Sequence, residues 1–344
     1  MQIKRQIVET IGDQDIEQIM LINDQGTCAR FLSLGATWQS FTVKDQEGRE
    51  KECILGLERP SDYLRSHLCA GQVVGRVAGR IKEGRIDLDG TSLQLPCNQK
   101  GHCLHGGPEG FHTQVWKVET ELLPSLARLT FSYHAKEAVD GFPGDLWVLV
   151  TYELDETTQL TLTFTARDAT KETLFNPTNH VYFNLSERQD LETHSLKIRS
   201  QEYLEVDQDL IPTGRRIPIS GTAFDFGQAR DLGPALGEMG GLDHAFIVGE
   251  DARTPIAVLC ERESGDQIEV YSDRSALVVY SLNDPEELTY FTRDQGKACQ
   301  KHQGLALEAQ FAPDAIHHPE WGDTRLHPGQ TKEYQIRFVY KRGN

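Results

Sequence analysis

The chain has 344 residues, with 35 Lys+Arg against 52 Asp+Glu and a formal net charge of −17. That acidity argues against nucleic acid and anionic membrane surfaces as partners, since both call for a basic face. With 38% apolar and 25% charged residues, and no apolar run near the roughly 20 residues of a membrane span, the sequence describes a folded, non-membrane chain.

The opening MQIKRQIVETIGDQ lacks the apolar stretch and small-residue cleavage site of a secretion signal, which points to the cytoplasm. The seven cysteines (Cys28, Cys53, Cys69, Cys97, Cys103, Cys260, Cys299) agree: they are odd in number, irregularly spaced and without a CxxC pair, so reduced thiols are expected. The sequon at Asn184-Leu185-Ser186 is then coincidental.

The first unusual segment is GQVVGRVAGRI, with Gly75, Arg76, Gly79 and Arg80. Its glycines do not match a phosphate loop, and a glycine-kinked strand with solvated arginines is an equal reading. HCLHGGPEGFHTQVW follows, where His102 and His105 could ligate a metal in a β protein, although a loop role for His105 is the better reading. Gly106-Gly107 permits a sharp turn or a close approach to a ligand. Residues 127–136, 159–167 and 333–341 alternate apolar and polar with period two, as in Leu160, Leu162 and Phe164 against Thr161, Thr163 and Thr165, and 146–154 reads as a further strand-like run.

In FNPTNHVYFNLS, strand geometry places His180, Tyr182 and Asn184 on one face. A histidine, an aromatic and an amide suit a sugar, with a hydrogen-bonded core histidine as the competing reading. Strand-like runs continue at 194–200, 255–261, 267–273, 276–281, 304–310 and 333–341, and helices are expected only at 228–236 and 284–297. In GLALEAQFAPDAI, Glu308 sits alone in an apolar strand, and a charge in such a place needs a partner or a task. Strands without intervening helices predict an all-β chain, a large antiparallel sandwich or barrel forming one domain over residues 1–344.

Five motifs, LHGGPEGFHTQVW, DGFPGDL, NPTNHVYFNL, GLDHAF and ALEAQFAPDAI, occur in an order that resembles the aldose 1-epimerase (galactose mutarotase) family, over nearly the whole chain. The resemblance implies a large antiparallel β-sandwich that interconverts the α and β anomers of free hexoses without metal or cofactor. It implies Glu308 as general base and His180 as general acid. His105, grouped with them as catalytic, and the substrate-binding Arg80 and Asp243 would hold the hydroxyls and ring oxygen. Two positions depart from the family pattern: Gly79 stands where many members have Asn, and Val278 where many have Gln. Gly79 is therefore expected to leave room for a bulkier sugar such as maltose.

The chemistry asks for an ionised Glu and a His whose pKa neighbouring carboxylates raise. Three alternatives remain at this level. A sugar-phosphate epimerase would want several cations, and Arg80 with Arg76 are the available ones; a non-catalytic sugar-binding protein would dispense with the acid or base; a cupin-like metal enzyme would use the histidines. The sequence leaves monomer and homodimer equally open.

Overall fold

A computed structural model describes residues 1–88 and 90–343. The alternation read from the sequence becomes two large sheets, and every ladder between the strands named below is antiparallel. One sheet has nine strands in the order Lys117–Leu122, Leu126–Ala135, Leu146–Asp155, Gln159–Arg167, Lys332–Lys341, Gln267–Ser272, Ala257–Glu261, His194–Ile198 and Arg230–Asp231. The other has six: Tyr182–Phe183, Leu305–Gln310, Ala276–Tyr280, Asp243–Ile247, Glu202–Val206 and Pro212–Pro218. A five-stranded sheet formed by residues 2–52 adds Phe31, Trp38 and Phe41 to the main core.

Period two decides what each face does. In the Leu305–Gln310 strand, Leu305, Leu307 and Ala309 enter the main core beside Leu162, Phe164 and Phe338 of the large sheet. Glu308 and Gln310 therefore face the opposite way. Val278 lies directly across from Glu308, Ala276 from Gln310, and Asp243 from Tyr280, so this second face carries the polar set.

Helix is scarce, as expected, but its placement differs. Residues 284–297 form no α-helix, only a 3-10 turn at Thr292–Asp294. Leu288 is 86% exposed and Tyr290 46%, while Phe291 is buried. Phe291 and Tyr290 sit in isolated bridges to Leu57 and Ala298, so extended pairing overrides the helical pattern here. The other expected helix is real but lies later, at Leu232–Met239, after a strand pair at Arg230–Asp231. Pro234 is tolerated in its first turn and Gly240, at φ +75°, ends it. No helix among the described residues is long and apolar enough to cross a membrane.

Candidate active site

The polar face of the six-stranded sheet is the floor of a cavity of about 220 Å³. Glu308, Gln310, Val278, Tyr280, Asp243, Ala245 and Tyr182 come from the sheet; Arg80 and Leu104 come from a short two-stranded ladder, and Gly79, Gln99 and His105 from the loops beside it. All five expected residues, Glu308, His180, His105, Arg80 and Asp243, line this one pocket.

His180 and Glu308 meet at its centre. His180 Nε2 lies 3.4 Å from Glu308 Oε1, and both side chains are buried. His180 follows the short Thr178–Asn179 strand rather than lying within one, and its backbone N–H donates to the Gln72 carbonyl. Burial pulls the His180 imidazole down to about 4, and burial together with Asp243 pushes Glu308 well above the carboxylate range. This reverses the expected protonation states. Neither group is solvated, and Arg80 offsets only part of the desolvation of Glu308, so each prefers its neutral form.

A two-stranded ladder pairs Arg80 with Leu104 and Ile81 with Cys103, which brings His105 beside the Gly79 turn. The Gly79 N–H donates to His105 Nδ1 at 3.2 Å. Burial and His180 hold the His105 imidazole well below its usual pKa, so it is neutral and presents Nε2–H as a donor. Gly106 makes the turn possible: at φ +88°, an added Cβ would lie 1.8 Å from the Gly75 carbonyl oxygen. The His105 and His180 rings stand edge to face at 5.3 Å. Arg80 Nε donates to Gln99 Oε1 at 2.8 Å, and its Nη2 lies 3.5 Å from Asp243 Oδ2. Burial raises the Asp243 carboxyl, against the pull of Arg80.

Several expectations change. Arg76 is neither solvated nor in the pocket: it is fully buried, with Nε and Nη2 donating to Asp140 and Nη1 to the Pro143 and Gly144 carbonyls. Asn184 does not share the sugar-facing surface; its amide donates to the Gln303, Arg188 and Asp190 carbonyls. His102 accepts from the Glu83 N–H and lies outside the pocket, and no cluster of three potential metal ligands occurs among the described residues. The room expected beside Gly79 is filled by Pro313, whose ring carbons would lie 2.9 Å from an added Cβ. Sequence reasoning missed Gln99, Tyr280 and Gln310; the last shares a face with Glu308 by the same alternation that exposed Glu308 itself.

The sequence model of the aldose 1-epimerase family matches residues 17–339. The chain is 41% identical over 343 residues to an aldose 1-epimerase of Streptococcus thermophilus, covering 99% of both chains. It is 35% identical over 348 residues to a maltose epimerase of Levilactobacillus brevis, covering 99% of this chain and 100% of the relative. The crystal structure of galactose 1-epimerase from Lactobacillus acidophilus NCFM superposes with a TM-score of 0.87 at 27% identity, covering 100% of this chain and 99% of that one. With sandwich, pocket and motifs in agreement along its length, the chain belongs to the aldose 1-epimerase family and is a mutarotase.

Proposed function

We propose that Glu308 removes the proton from the anomeric hydroxyl of a free hexose while His180 delivers one to the ring oxygen. The ring opens, the C1–C2 bond turns, and the reverse transfers close it on the other face. The observation that carries this reading is the buried His180–Glu308 pair, 3.4 Å apart on the wall of the pocket. Glu308 and His180 together hold one proton, whichever partner carries it. Ring opening leaves that proton on Glu308 and His180 neutral, the distribution that burial favours. The site is thus matched to the opened sugar more than to the closed one, which is the direction catalysis requires. Sugar hydroxyls donating to Glu308 stabilise the carboxylate needed at the start.

His105, with Nε2–H aimed as a donor, and the Arg80–Asp243 pair position the remaining oxygens. Four carboxyl residues (Asp209, Asp243, Asp284, Glu308) face two cations (Arg80, Lys100) in the pocket, which disfavours an anionic sugar phosphate. Galactose and glucose are the proposed substrates. Maltose is added because a groove of about 930 Å³ shares His67 with the pocket and offers a second ring a place outside it. Pocket residues drawn from 67 to 313 support one domain, and seven free thiols support a cytoplasmic home. Polarimetry on freshly dissolved α-D-galactose, α-D-glucose and maltose, with EDTA present, is the test. Accelerated mutarotation of at least one is expected; no acceleration, or its loss with EDTA, overturns the reading.

A further inference from the structure

Gln310 is one of the most enclosed polar side chains in the molecule. It is 0% exposed, yet neither its Nε2 nor its Oε1 has a hydrogen-bond partner among the described residues. An amide carries two donors and an acceptor, and leaving them unpaired in a protein interior is unfavourable. Nothing in the fold demands an amide here: the facing residue is Ala276, and the neighbouring cluster of Leu204, Ala245, Val278, Ala312 and Trp321 is apolar. An aliphatic side chain would pack at this position without that penalty. What distinguishes the site is that Gln310 lines the sugar pocket.

Resting on the mutarotase reading, we propose that Gln310 is a sugar-binding residue whose amide takes a ring hydroxyl remote from the anomeric carbon. Alternate residues of a strand stand about 7 Å apart, so Gln310 lies roughly one sugar ring's width from the base that works on the anomeric hydroxyl. A hydroxyl both donates and accepts, and a primary amide can meet both roles at once. Binding then satisfies the sugar and the protein together, which is how a polar site discriminates against a ligand lacking one hydroxyl.

The test is calorimetric binding of the preferred hexose and its monodeoxy analogues to the wild type and to Gln310→Met, an unbranched apolar replacement. Gln310→Met should bind the parent sugar about tenfold more weakly or worse, the loss of a buried hydrogen bond. One monodeoxy sugar should bind wild type and variant alike, while the others keep the full loss. Because the amide is unpartnered, the variant should melt at or above the wild-type temperature. Unchanged affinity for the parent sugar, an equal loss across every analogue, or a variant that melts several degrees lower or fails to fold would each overturn the assignment. Polarimetry of the wild type reports separately on the mutarotase reading, so binding that depends on Gln310 without turnover would sink that reading alone.

Discussion

Glu308 is surrounded by groups that make its carboxyl weakly acidic: it is buried, Asp243 repels its charge, and Oε2 has no hydrogen-bond partner among the described residues. A carboxylate generated there is a stronger base than one in water, which suits proton removal from a sugar hydroxyl. Glu308→Gln keeps the shape and removes the base, so kcat measured by polarimetry should fall at least about 10²-fold. Its melting temperature should hold, since an ionisable group leaves a buried site. His180→Asn should lower kcat strongly, whereas His105→Asn should damage kcat and KM together, because a positioning donor acts in both ground and transition states. The opposite split would exchange the two histidines' roles. Glu308 was legible in the sequence as a charge among apolar neighbours. The protonation states were not, because they depend on burial that only the assembled loops create.

At the level of elements, the Arg76–Asp140 pair fixes the segment leading into the Arg80–Ile81 strand against the connection between the Leu126–Ala135 and Leu146–Asp155 strands. Breaking it should be severe. Asp140→Ala leaves a buried guanidinium without its counter-charge and should cost about 3–5 kcal/mol in urea denaturation. The double variant Arg76→Met, Asp140→Leu should lose less than Asp140→Ala alone, because it removes both charges. A single-variant loss below about 1 kcal/mol would show that the pair is not structural. The glycines around Arg76 suggested a kinked strand with solvated arginines, and nothing local reveals a partner 64 residues away. The same limit explains residues 284–297: their spacing fits a helix, but Phe291 is claimed by a bridge to distant Leu57. Alternation within one strand is local and was legible; partners across the fold were not.

For the whole molecule, buried histidines govern the response to acid. Burial holds His112, His180, His194 and His244 each at about 4, against roughly 6.5 when unfolded. Between those values the unfolded chain binds more protons, so stability present above pH 6.5 is lost as pH falls toward 4. Raised carboxyls work in the opposite sense: Glu308, Glu52, Asp140, Asp243 and Asp294 contribute stability at low pH that is lost as pH rises through their raised pKa values, and the lowered His105 and His302 offset part of that. The melting temperature should therefore drop steadily from pH 6.5 to 5, with each of the four contributing on the order of 1 kcal/mol per pH unit. His194 accepts from the Leu185 N–H at 2.9 Å, and His194→Gln retains an acceptor without the titration. That variant should flatten the slope; an unchanged slope would remove His194 from the account.

The nine-stranded sheet has a further consequence, for synthesis on the ribosome. The Gln159–Arg167 strand finds one neighbour early, in Leu146–Asp155, but its other neighbour is Lys332–Lys341. At 5–20 residues per second, translation from residue 167 to residue 332 takes roughly 10–30 s, and an open edge flanked by Leu160, Leu162 and Phe164 waits through it. The late strand also joins Gln267–Ser272, so the two halves of the sheet are stitched together only when it arrives. Nascent chains are thus exposed to mispairing with one another throughout that interval, and crowded polysomes are where this fold is most vulnerable.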